Sequence, residues 1–134
     1  MTDIDYSRLP VLGSADVVVV GGGPGGLCAG VAAAEEGADV LLLERYGFLG
    51  GMATAGLVNP FMSFYAGDLQ INKGLFQRLI DELEDHGGWS HRPKSRHAFD
   101  PQIMKIACDC LAGRAGVDLL LHSFAVDAVA EDGR

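Results

Sequence analysis

The chain is poor in the residue types that define several common protein classes. Its three cysteines, Cys28, Cys108 and Cys110, are too few and too irregularly spaced for a disulfide framework or a zinc site, so no metal is expected. Basic residues are also scarce, 10 Lys and Arg against 18 Asp and Glu, for a formal charge of −8. A nucleic-acid surface needs clustered positive charge and is excluded. No apolar run approaches the roughly 18 residues of a membrane span. Met1-Thr2-Asp3-Ile4-Asp5 lacks the basic start and apolar core of a secretion signal, which points to the cytoplasm. The cysteines then read as reduced packing thiols. Cys108 and Cys110 should point to different faces of one helix, and Cys28 should lie where a helix N-terminus favours its thiolate.

What remains is a globular composition, 49% hydrophobic with a mean hydropathy of +0.20, enough for a packed core. The 19 glycines show no period, which excludes a collagen-like or low-complexity chain. They concentrate where chemistry is expected. Val17 to Val20 reads as a buried strand that runs into Gly21-Gly22-Gly23-Pro24-Gly25-Gly26, and Gly21, Gly23 and Gly26 have the G-x-G-x-x-G spacing of dinucleotide-binding βαβ units. Gly21 permits the turn and Gly23 allows the backbone close to a pyrophosphate. Pro24 and Gly25 complete the loop, and Gly26 lets the following helix pack against the strand. The phosphates would rest at the helix N-terminus.

The flanks give that spacing its weight. Leu27 to Glu36 is a run of small, helix-permissive residues closed by Gly37. Ala38 to Leu43 is a second strand, and Glu44, at its end, can accept hydrogen bonds from the hydroxyls of an adenosine ribose. An acid there disfavours NADP and leaves NAD and FAD open.

Beyond Glu44, the segment Glu44-Arg45-Tyr46-Gly47-Phe48-Leu49-Gly50-Gly51-Met52-Ala53-Thr54 resembles the FAD-dependent oxidoreductases. These two-dinucleotide-fold flavoproteins include the fumarate reductases and relatives of the heterodisulfide reductase flavoprotein. The resemblance implies a three-layer α/β Rossmann-like FAD/NAD(P)-binding domain with a parallel sheet and a β-meander. It implies FAD as cofactor and electron or hydride transfer as activity. Placed by that resemblance, Glu44 binds the ribose, Arg45 lies beside the adenosine half, and Gly51, Met52 and Thr54 approach the ribityl and flavin portion. Val126 offers its backbone to the adenine edge. No histidine occurs between Glu44 and His86, so the covalent histidyl attachment of some relatives is not expected. Iron–sulfur clusters would need cysteine groups that are missing here. An NAD-dependent oxidoreductase and a non-catalytic dinucleotide-binding domain are the competing readings; the first leaves Gly50-Gly51-Met52-Ala53-Thr54 unexplained.

The remaining segments read as scaffold. Leu57 to Leu69 is an irregular apolar stretch whose Phe61, Phe64 and Tyr65 either pack the core or wall the flavin. Ile71 to His86 is an amphipathic helix with Asp81, Glu82, Glu84 and Asp85 on a solvated face. Arg92, Lys94 and Arg96 form a basic loop that is either solvated or an anion site. Asp100-Pro101 starts a further helix. Val117 to Leu121 and Phe124 to Ala130 are predicted strands, and Asp132-Gly133 a turn. No catalytic residue is assigned: His86, His91, His97 and His122 can titrate near neutrality, but histidines are more often structural. Residues 1–14 read as an extension. The resemblance implies that 1–134 is the amino-terminal part of an FAD-binding domain, with the substrate domain and the closing strand outside this chain. The substrate, the electron partner and the oligomeric state are not legible.

Overall fold

The computed structural model describes residues 6–62, 64–92 and 97–130. After a short 3-10 turn at Tyr6–Arg8, the elements are β1 (Val17–Val20), α1 (Pro24–Glu35), β2 (Val40–Leu43), β3 (Tyr65–Ala66), β4 (Leu69–Gln70), α2 (Leu75–Asp85), α3 (Pro101–Ala115) and β5 (Asp118–Leu120). Lys94 and Arg96 of the basic loop, and the Asp132-Gly133 turn, lie outside the described residues.

The main sheet has the order β1-β2-β5 and is wholly parallel, with Val17 opposite Val40 and Leu43 opposite Leu120. Parallel neighbours need crossovers, and α1 makes the first, between β1 and β2. Its small residues allow close packing: Gly30 is buried, and a Cβ there would lie 3.5 Å from Leu42. Leu27 and Val31 of α1, Val40 and Leu42 of β2, and Met104, Ala107, Cys108, Leu111 and Ala112 of α3 join in one core. Asp100 caps α3 by accepting from the amides of Gln102 and Ile103, and Gly116 ends it at φ 81°. Both follow the expected cap chemistry.

The opposite face of the sheet is open: Val18 and Val20 are 52% and 65% exposed. Two of the three expected layers therefore lie among the described residues. No strand occurs in residues 121–130, so the strand expected over Phe124 to Ala130 is not formed. Phe124, Val126 and Val129 are exposed, and no strand among the described residues pairs with this segment.

Two further expectations are corrected. Helix α2 begins at Leu75, after Gly74 at φ 64°, so the first turn expected from Ile71 is instead the exit from the β3–β4 hairpin. That hairpin, Tyr65 to Gln70, overlaps the end of the stretch read as irregular. Glu82 is also not on a solvated face. It is 5% exposed, and its carboxylate faces Arg114 of α3, which pairs with Oε1 and leaves Oε2 without a hydrogen bond.

Candidate functional site: a cleft between two glycine loops

At the C-terminal ends of β1, β2 and β5 the chain encloses a cleft of about 450 Å³, within the usual range for small-molecule pockets. Gly21, Gly23 and Pro24 form one side, Glu44, Arg45 and Tyr46 another, and Gly51, Met52, Ala55 and Gly56 a third. Ser123, Phe124 and Ala125 close it beyond β5. The carboxyl ends of parallel strands are where open α/β sheets bind ligands.

The glycine loop matches its geometric demands at particular positions. Gly21 has φ 98°, a region that L side chains avoid, and its N–H donates to the Leu43 carbonyl at 2.8 Å. A Cβ on Gly26 would collide with the Gly21 carbonyl oxygen, so Gly26 is fixed by strand–helix packing and not by the cleft. Gly23 is the N-cap of α1 and offers no side-chain cap, with Pro24 at the first helical position as that site favours. A Cβ built on Gly25 would meet no atom within 4 Å. Gly23 and Pro24 line the cleft, so the start of α1 borders it with its positive end.

The second pair, Gly50-Gly51, is docked on the first loop and is not a surface turn. Gly50 N–H donates to the Gly22 carbonyl at 2.8 Å. A Cβ on Gly51 would fall 2.7 Å from the Gly23 Cα, and Gly51 has φ 50°. Thr54 holds this loop from behind: it is 2% exposed and its hydroxyl donates to the Leu49 carbonyl at 2.7 Å. It is not among the cleft-lining residues.

Glu44 joins the two sides. Although it lines the cleft it is only 5% exposed. Its Oε2 accepts from Gly22 N–H at 2.7 Å and its Oε1 from Tyr46 N–H at 2.9 Å. Each carboxylate oxygen has a second lone pair, so acceptor capacity remains for a bound hydroxyl.

Of the residues singled out in the sequence, Gly21, Gly23, Pro24, Glu44, Arg45, Gly51 and Met52 line the cleft. Gly25, Gly26, Thr54 and Val126 do not; Val126 is 83% exposed, just past the lining residue Ala125. Tyr46, Ser123 and Phe124 line it without having been singled out. For Tyr46 the adjacency to Glu44 was an available signal; for Ser123 and Phe124 only the β2–β5 pairing brings them near. Phe61 and Phe64 are not cleft-lining residues: Phe61 packs against Phe76, Trp89 and Phe99, and Phe64 against Phe76 and His97.

The expected thiolate at Cys28 is corrected: burial pushes its thiol up from the ordinary value. The Cys108 thiol is pushed up to about 12, first by burial and then by Asp109. His86 sits at the end of α2, its Nδ1 2.9 Å from the Glu82 carbonyl; His122 donates its backbone N–H to Tyr46. Among the described residues no group of three or more His, Cys, Asp or Glu is placed to hold a metal ion.

Parallel strands joined through a glycine turn and a helix, with an acid at the end of the second strand facing that turn, define a dinucleotide-binding βαβ protein. Residues 16–134 match the family model described as FAD dependent oxidoreductase, and the chain belongs to that family, whose cofactor is FAD. It is 30% identical over 134 residues to the digeranylgeranylglycerophospholipid reductase of Methanocella arvoryzae, an alignment covering 89% of this chain and 32% of the relative. It is 39% identical over 79 residues to the thiamine thiazole synthase of Aeropyrum pernix, covering 59% and 27%. Its fold matches the solved geranylgeranyl bacteriochlorophyll reductase-like protein of Thermoplasma acidophilum with a TM-score of 0.52 at 23% identity, covering 88% of this chain and 32% of that one. The chain thus spans about a third or less of the length of these relatives.

The residues present fit FAD. The two glycine loops are in backbone contact, the start of α1 at Gly23 and Pro24 opens on the cleft where phosphates would lie, and Glu44 retains acceptor capacity beside them.

Proposed function

We propose that this chain builds the adenosine-diphosphate end of a non-covalent FAD site in a flavin-dependent oxidoreductase. The observation that carries the reading is the position of Glu44, at the end of β2, tied to the glycine loop and facing the cleft. In this reading the first turn of α1 and the loop 21–26 receive the pyrophosphate on backbone N–H groups. Glu44 accepts from the ribose hydroxyls, Arg45 and Tyr46 flank the adenine, and Gly51 and Met52 lead toward the flavin. Thr54 acts indirectly by fixing the 49–54 loop, and the backbone near Val126 lies within reach of the adenine edge. FAD, when bound, supplies the electron or hydride transfer; the chain's residues bind and orient it.

The chain in this reading contributes the first part of an FAD-binding domain, with residues 1–14 as an extension, and a small-molecule substrate or electron partner is met by sequence outside it. The small share of each relative that is matched supports this division. No helix among the described residues is long and apolar enough to cross a membrane. The three free cysteines support a reducing, cytoplasmic setting.

The visible absorption spectrum of the purified protein tests the assignment, followed by identification of whatever denaturation releases. A yellow protein that releases intact FAD is the expected outcome. A colourless protein that takes up NAD and not FAD would replace it with a nicotinamide-dependent reading, and one that takes up neither would leave a non-catalytic domain.

A further inference from the structure

Arg45 and Tyr46 stand at the lip of the cleft, and both are exposed. Side chains so placed ordinarily sample several rotamers, yet here each is engaged. The Arg45 guanidinium lies over the Tyr46 ring, 4.5 Å from its centroid, and its Nη2 donates to the Tyr46 hydroxyl at 2.7 Å. The Tyr46 ring stacks on Phe48 with centroids 5.7 Å apart and planes 9° from parallel. The Lys105 ammonium lies 3.9 Å from the centroid of the Phe48 ring, and it also donates to the Gln102 side chain at 3.1 Å. Four residues therefore form one continuous run of cation–ring and ring–ring contacts, from the cleft to α3.

The backbone below this run is held as well. Tyr46 N–H donates to Glu44, and the Tyr46 carbonyl accepts from His122 N–H at 3.1 Å. A Cβ on Gly47 would lie 2.7 Å from the His122 ring, so the loop is pressed against the exit of β5. Lys105 is the member that ties the side-chain run to a helix, and α3 is buried in the core.

We propose that Phe48 and Lys105, neither of which lines the cleft, are positioning residues that hold the Arg45 guanidinium over the Tyr46 ring as a stacked platform for the adenine ring of FAD. Purines stack on aromatic rings and on guanidinium planes alike, and fixing such a platform before binding removes the ordering cost from the binding step. This inference rests on the assignment of the cleft to FAD and adds to it a specific adenine-side device that reaches across to α3.

Affinities of the apoprotein for FAD, ADP and inorganic pyrophosphate, measured by calorimetry for the parent chain and for Lys105→Met, Lys105→Arg and Phe48→Leu, test it. Losing a cation–ring contact is expected to weaken FAD and ADP about two- to fivefold in Lys105→Met. Pyrophosphate, which has no ring to stack, should bind as before. Lys105→Arg should restore the parent affinity, and the melting temperature without ligand should move little, which separates positioning from loss of fold. Phe48→Leu, with the ring removed and the loop apolar, should weaken ADP at least as much as Lys105→Met. Unchanged ADP affinity in both Lys105→Met and Phe48→Leu overturns the positioning role while the FAD assignment stands. Equal weakening of ADP and pyrophosphate also overturns it, because the defect would then lie in the loop and not in the platform. A parent chain that binds neither FAD nor ADP overturns the cleft assignment and this inference together.

Discussion

At the scale of single residues, Glu44 has two duties that substitution separates. Its carboxylate satisfies two backbone amides, Gly22 and Tyr46, in a site that is 5% exposed. Glu44→Ala should therefore lower stability by about 1–3 kcal/mol even without ligand, because two donors lose their acceptor. Glu44→Gln, which keeps one acceptor oxygen, should cost less. Chemical denaturation of the apo forms checks this, and equal stability of all three would leave Glu44 with a ligand role only. Gly26→Ala is expected to destabilise by about 1–3 kcal/mol through overpacking against Gly21, whereas Gly25→Ala, with nothing within 4 Å of its Cβ, should avoid that clash. Cys108 gives a pH dependence. Its folded thiol stays protonated to about 12, while the unfolded thiol ionises near its ordinary value of 9.0. The unfolded chain therefore holds fewer protons above that point, and stability should fall as pH rises from about 9 toward 12. Urea midpoints for the parent and Cys108→Ala across that range should show a shallower alkaline decline in the variant.

The contact between α2 and α3 decides what happens at the scale of elements. Glu82 is buried with one oxygen lacking a hydrogen bond and His86 Nδ1 4.0 Å from that oxygen, so its hydrogen-bonded pairing with Arg114 is the main contact that offsets the burial of its charge. Arg114→Ala should then cost more, on the order of 1–3 kcal/mol, than Glu82→Gln, which removes the charge itself. Thermal melts of the two variants compare them directly, and a Glu82→Gln protein less stable than Arg114→Ala would reverse the assignment. The same helix shows what the sequence can and cannot convey. Its apolar stripe through Leu75, Leu79, Ile80 and Leu83 was legible by period. The inward turn of Glu82 was not, because the residue that receives it is 32 positions away. Strands β1 and β2 and the helix between them were legible to within three residues at each end, since turn, helix and strand there are dictated by neighbours in sequence. The segment from Phe124 to Ala130 is apolar enough to read as a strand, yet it forms none, because pairing needs a partner that sequence pattern does not supply. In the site, Gly21, Gly23 and Glu44 could be read from spacing and Arg45, Gly51 and Met52 from the family resemblance, while Ser123 and Phe124 reach the cleft only through the β2–β5 ladder.

For the whole molecule, cofactor binding and folding are linked. A ligand that binds only the folded state stabilises it by about 2.7 kcal/mol at one hundred times its dissociation constant. FAD and ADP should both raise the melting temperature, ADP by the share that the cleft described here provides, and a melt indifferent to saturating ADP would place the nucleotide elsewhere. The order of the sheet adds a kinetic consequence. Strand β5 aligns Asp118 with Leu41, so the side of the cleft made by Ser123 to Ala125 forms only after a loop spanning more than half the chain has closed, a slow kind of contact to make. Strands β1 and β2, joined through α1, can meet much earlier. Affinity for the nucleotide should therefore arrive last during refolding, and its appearance in a stopped-flow experiment would time the moment when the far end of the chain finds the sheet.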